Sequence, residues 1–208
     1  MVNLELMTFI ESKIIPRYLA FDAAHSTEHV QTVIKESLAL ARQLGADEDM
    51  CYVVAAYHDL GLEGPRAVHH KRSGEIIKAD KRLLKWFSPA QINIMKEAVE
   101  DHRASSSRSP RSMYGRIVAE ADRELVPEKV IMRTIQYGIA NYPELDYELQ
   151  YKRFVKHLEE KYSSDGYIKL WIPGSSNEKH LSALRDIIND KKALRAEFER
   201  IYAGFWKN

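Results

Sequence analysis

The chain has 208 residues, 45% hydrophobic and 29% charged, which is enough to bury one sizeable core without help from a disulfide or structural metal. Its 31 Lys plus Arg nearly cancel its 30 Asp plus Glu, which argues against a binder of nucleic-acid polymers or membrane surfaces. The single cysteine, Cys51, excludes an internal disulfide and a Cys-rich zinc module; with no signal-peptide pattern over residues 1–21 and no apolar run near the roughly 20 residues that span a bilayer, the expectation is a cytoplasmic protein.

Helical periodicity dominates the chain. Ser26 or Thr27 caps a segment in which Val30, Val33, Ile34, Leu38 and Ala41 recur at three- and four-residue steps until Leu44-Gly45 closes it. Asp47 or Asp49 opens the next helix, an apolar one that reaches His58-Asp59 before Gly61 and the Gly64-Pro65 break. Further helices are expected at about 73–85, from Ser88-Pro89 to His102, from Ser112 to Leu125 and from Pro127 to about Ile139, with Pro89 and Pro127 in first-turn positions. The polar stretch from Arg103 to Arg111, with Ser105, Ser106, Ser107, Ser109 and Pro110, reads as a loop. A helix over 143–161 and one or two over 181–202 follow, separated by Tyr167-Ile168-Lys169-Leu170-Trp171-Ile172, whose alternation predicts a short extended segment. The fold class is all-α: one domain with a core at about 22–140 and a C-terminal helical extension at about 141–208.

The ionisable residues fall where apolar ones are expected. His29 lies on the apolar side of its helix, His58 and Asp59 end an apolar helix, and His102 and Asp122 continue buried stripes set by Val99 and Val118. Burying carboxylates and imidazoles is costly unless they are paired or bind a metal. Taken with His70, the set offers four imidazoles and two carboxylates, a nitrogen and oxygen mix suited to divalent iron, manganese, zinc, cobalt or nickel.

The segments Glu28-His29-Val30, Tyr57-His58-Asp59-Leu60-Gly61 and Ala119-Glu120-Ala121-Asp122-Arg123 together resemble the HD superfamily of metal-dependent phosphohydrolases, over about residues 25 to 130. The resemblance implies an HD-type helical bundle in which His29, His58, Asp59 and Asp122 hold one metal. His70-Lys71-Arg72-Ser73-Gly74 and the helix end at His102 are similar to the subgroups that hold two, with Asp59 as the bridge. Within these, His102 and the run from Tyr114 to Asp122 look most like the bacterial HD-type diadenosine tetraphosphate hydrolases. Leu62 stands where those relatives carry Lys, and Arg103 follows His102 where they often carry Thr.

What the resemblance implies is a phosphohydrolase acting on a small phosphomonoester or phosphoanhydride, nucleotide-like, with one or two divalent ions, iron or manganese favoured. Local charge agrees with an anionic substrate: seven basic residues against three acidic ones lie between Glu63 and Lys85. Lys71, Arg72, Arg103 and Arg123, each next to a candidate ligand, are the candidate phosphate contacts, because lysine ammonium and the planar arginine fork both suit phosphate oxygens. Beside Asp59, Glu63 is the candidate general base. His25 and His69 are read as surface or supporting residues. A di-iron oxygenase of the same type and a non-catalytic, metal-stabilised interaction domain are the alternatives, and homodimerisation stays open.

Overall fold

The computed structural model describes residues 1–21, 25–106 and 108–205, and it divides into two compact units, Met1–Arg123 and Glu124–Asn208. No strand occurs among the described residues.

Among its described residues the first unit holds six α-helices: α1 (Leu4–Lys13), α2 (Thr27–Leu44), α3 (Glu48–Tyr57), α4 (His69–Ala79), α5 (Pro89–Asp101) and α6 (Met113–Ala121). Their starts follow local chemistry. Side-chain oxygens of Asn3, Ser26, Asp47, Ser88 and Ser112 accept from first-turn amides, and Ser88 with Gln91 completes a capping box. Gly45, at φ 66°, closes α2 in the left-handed conformation that costs glycine nothing. Every residue of α3 from Met50 to Tyr57 is buried, and α2 and α6 pack against it and against each other.

The start of α4 departs from expectation. It begins at His69 rather than near Ser73, after two short 3-10 turns at Leu60–Glu63 and Arg66–Val68. The turn before it is packed tightly onto α4 at Gly61: a Cβ there would stand 2.0 Å from the His69 carbonyl oxygen, and the Gly61 N–H donates to Ser73 Oγ at 2.8 Å. The missing side chain lets the turn after Asp59 lie directly on the first turn of α4. Gly74 has the same role further along α4, because a Cβ there would fall 2.7 Å from Glu100 Cγ on α5.

The second unit holds α7 (Pro127–Asn141), α8 (Tyr147–Tyr162), α9 (Ser176–Asn189) and α10 (Lys191–Gly204). Phe154, Leu158, Leu184, Leu194 and Phe198 are buried, and Tyr147, Tyr151 and Phe154 meet Phe198 edge-on or tilted at centroid distances of 5.1–5.5 Å. α7 packs with α8, α9 and α10, so the compact unit runs from Glu124. The segment 167–172 alternates as expected, with Ile168 and Ile172 buried, yet it forms no strand. Its first amides are already taken: Tyr167 and Ile168 donate to the Glu160 and Lys161 carbonyls at the end of α8, at 3.2 and 3.0 Å.

Candidate metal centre

Helix ends in the first unit converge on Asp59. His29 is in the first turn of α2, His58 caps the end of α3, His69 opens α4, His102 caps the end of α5, and Asp122 caps the end of α6. The two oxygens of the Asp59 carboxylate face different neighbours. Oδ2 lies 3.2 Å from His58 Nε2 and 3.8 Å from His29 Nε2, and Asp122 Oδ1 joins this side at 3.2 Å from His29 and 3.6 Å from His58. Oδ1 lies 3.4 Å from both His69 Nε2 and His102 Nε2, which are themselves 3.0 Å apart.

The ring orientations are fixed from behind. The Nδ1 atoms of His58, His69 and His102 lie 2.7, 2.8 and 2.6 Å from the carbonyls of Ala55, Arg66 and Val99. A carbonyl only accepts, so each Nδ1 carries the hydrogen and each neutral ring turns an Nε2 lone pair inward. The Nε2 atoms of His29 and His58 are buried and have no hydrogen-bond partner among the described residues. Between His69 and His102 two such lone pairs face each other across 3.0 Å, which is unfavourable without a positive charge between them.

A divalent cation fits these features. Donor atoms bound at about 2.0–2.2 Å to one ion stand about 3.0–3.5 Å apart, and most separations on each side of Asp59 lie in or near that range. His29, His58, Asp59 Oδ2 and Asp122 could hold one cation, and Asp59 Oδ1, His69 and His102 a second.

The electrostatics agree with a set of ionised carboxylates and basic imidazoles. Burial by itself would raise the Asp59 carboxyl, but His58 and His102 hold it well below the usual carboxylate range; His29 and His58 do the same for Asp122. Burial opposes charging His58, yet Asp59 and Asp122 outweigh it and raise the ring above the ordinary imidazole range. Burial lowers His69, and the neighbouring His102 lowers it further.

The structure brings together His29, His58, Asp59, His102 and Asp122 of the residues expected from the sequence, and beside them His69. His69, not His70, stands beside Asp59 and His102. Successive helical residues point about 100° apart, so only one of the pair can face Asp59 once α4 starts at His69. The ring of His70 lies 5.6 Å from that of His69, burial lowers its pKa to about 4, and it lines a cavity of about 240 Å³ with Lys71, Glu75, Lys96, Glu100, Ser106 and Arg108. Gly74, whose spacing singled out His70, serves the close approach of α4 to α5 instead.

The candidate phosphate contacts separate in the same way. Lys71 lines the cavity, whereas Arg103 donates to the Ala67 carbonyl at 2.7 Å, Arg72 packs over Gly64, and Arg123 is buried and donates to the Ala119 carbonyl. Glu63 is engaged by Arg17, with Nη2 at 2.6 Å and Nε at 2.8 Å, so its carboxylate is not aimed at the cluster as a free base. For Arg103 and Glu63 the partners, Ala67 and Arg17, lie 36 and 46 residues away and leave no local pattern.

One supporting residue has no signal in the sequence at all. Tyr18, buried in the 3-10 segment Ile15–Ala20, donates its hydroxyl to the Ala56 carbonyl at 3.0 Å and accepts from the Asp59 N–H at 3.3 Å. Burial raises its phenol further above the ordinary range, so it remains a donor that braces the turn carrying His58 and Asp59.

Comparison with known proteins agrees with this architecture. Residues 27–125 match the HD domain family. This stretch contains all six converging residues. The chain also superposes on the crystal structure of a protein described as a predicted HD superfamily hydrolase from an uncultured Thermotogales bacterium. The TM-score is 0.52 and the identity 17%, over 97% of this chain and 91% of that one, a likeness in fold. No curated protein matches the sequence. Among the described residues, no helix is long and apolar enough to cross a membrane.

Proposed function

We propose that the chain is a metal-dependent phosphohydrolase that holds two divalent cations, iron or manganese, across Asp59 and cleaves a phosphomonoester or phosphoanhydride in a small, nucleotide-like substrate. The observation that carries this reading is the division of the Asp59 carboxylate between two groups of inward-facing imidazole nitrogens. Two adjacent divalent ions supply an acidified water and charge neutralisation for phosphoryl transfer. His29, His58, Asp59, His69, His102 and Asp122 would hold them, and the backbone carbonyls behind His58, His69 and His102 keep the Nε2 atoms in place. Asp59 would be shared between the two ions, and Tyr18 holds its backbone by accepting from the Asp59 N–H.

The substrate's negative charge has cationic neighbours close by. Lys71 and Arg108 line the cavity beside His70 and form no ion pair among the described residues, while Lys96 in the same wall is paired with Glu100 at 2.6 Å. Lys71 and Arg108 are therefore the phosphate contacts we assign; Arg72, Arg103 and Arg123 act within the fold.

The test is elemental analysis of protein purified without chelator or a His-tag, compared with Asp59→Ala and combined with hydrolysis assays on dinucleoside polyphosphates and mononucleotides. Close to two equivalents of iron or manganese and measurable phosphate release are expected, both lost in Asp59→Ala. No bound metal, and none taken up on titration, would overturn the reading.

A further inference from the structure

Arg111 makes an unusual number of directed bonds for a side chain that is about one-third exposed. Its backbone N–H donates to Asp101 Oδ2 at 2.7 Å. Its Nε donates to both Asp101 oxygens at 3.0 and 3.1 Å, and its Nη2 lies 2.9 Å from Asp101 Oδ1. The same Nη2 reaches the Glu97 carbonyl at 3.0 Å and Glu100 Oε2 at 2.8 Å. Asp101 is buried and is the last residue of α5, immediately before His102. The guanidinium thus grips the last turn of α5, where a cation also meets the negative end of the helix dipole.

The surroundings make this grip directional. Arg111 directly precedes Ser112, the cap of α6, and Gly115 in the first turn of α6 lies so close to Pro110 and Asp101 that a Cβ would meet them at 3.1 and 3.4 Å. The chain that leaves α5 after His102 is therefore brought back onto the residue from which it departed. At the other end of the loop, Arg103 donates to the Ala67 carbonyl, two residues before His69. His102 itself is held from behind by its Nδ1 bond to Val99, inside the turn that Arg111 clamps.

We infer that Arg111 is a positioning residue for the second cation position: by clamping Asp101 it fixes the end of α5 and so the placement of His102 Nε2 opposite His69. The inference rests on the two-cation reading above. His29, His58 and Asp122 are carried by α2, α3 and α6 and pair with one another and with Asp59 rather than with Arg111, so the first position keeps its ligands when the clamp is cut.

The experiment is a Mn²⁺ titration of chelator-stripped protein by calorimetry, with the exchange-broadened paramagnetic resonance signal of a coupled manganese pair as the second readout. Wild type is expected to take up two ions in separable steps. Arg111→Ala should weaken the second step by about 10- to 100-fold, the usual effect of losing a group that orients a ligand, leave the first step within about twofold, and replace the pair signal by that of an isolated ion. Asp101→Asn, which keeps shape and removes charge, should behave alike. Arg111→Lys, which lacks the fork, should fall between. Lys96→Ala, which removes another partner of Glu100, should bind like wild type. If Arg111→Ala fails to fold, Asp101→Asn and Arg111→Lys carry the test. Two unchanged steps in these variants would overturn the inference alone, as would equal weakening of both steps, the mark of a general loss of structure. A single step or none in wild type would instead remove the two-cation reading, and the inference with it.

Discussion

The two sides of the Asp59 carboxylate are built differently. On the Oδ2 side, His29, His58 and Asp122 come from α2, α3 and α6, three helices that pack against one another through the most apolar part of the unit. On the Oδ1 side, His69 and His102 come from the start of α4 and the end of α5, next to polar links from Arg103 to Ala67 and from Arg111 to Asp101, Glu97 and Glu100. The Oδ2 side is part of the core and the Oδ1 side lies at its edge. A cation on the first side should therefore depend on the whole fold, and one on the second side on a few polar contacts.

The largest effect should come from substitutions on the two sides. His58→Ala removes a fully buried ring and leaves Asp59 and Asp122 without a main counter-charge, so it should abolish metal binding on that side and destabilise the protein by about 3–5 kcal/mol, read by denaturant unfolding. His69→Ala should instead remove one ion equivalent with little loss of stability, and His70→Ala should keep both ions. If His70→Ala lost the ion and His69→Ala kept it, the assignment of the second side would be broken.

A smaller effect is expected at Gly61. Gly61→Ala places a methyl group where the His69 carbonyl oxygen lies, so the turn after Asp59 and the start of α4 must separate. A loss of about 1–3 kcal/mol is expected from such overpacking. Weakening of the second ion step in the same variant would tie the approach of these backbones to the position of His69; unchanged binding of both ions would untie them.

The smallest and most general effect is on pH. The folded-state pKa of His58 is raised, so without a cation the ring binds a proton at a pH where a free imidazole would have lost it. A cation must displace that proton. Affinity on the first side should therefore rise by about tenfold per pH unit for one proton released, and should still be rising above the ordinary imidazole value of about 6.5. Calorimetry in buffers of different ionisation enthalpy measures the proton count, and no release there would sharpen the comparison against His58.

Much of the site was legible in the sequence because it depends on local rules. The Ser26 and Ser88 caps, the glycine that closes α2, and the apolar run of α3 mark helices by chemistry within a few residues, and they put His29, His58, Asp59, His102 and Asp122 at helix ends on inward faces. The resemblance to the HD superfamily then ordered them, and the match over residues 27–125 agrees with that reading.

What tertiary structure decided were the choices between neighbours and the pairings of distant groups. His69 and His70 are adjacent and chemically identical, and one residue of helix is a rotation of about 100°; the way the first turn of α4 lies on the turn after Asp59, a close approach that Gly61 permits, settles which of them faces Asp59. Glu63 meets Arg17 across 46 residues, Tyr18 meets Asp59 across 41, and Arg111 meets Asp101 across ten. Periodicity and capping act over a turn or two of chain, so they determine which residues form helices and which faces turn inward. Contacts between distant backbones determine which of those inward side chains meet.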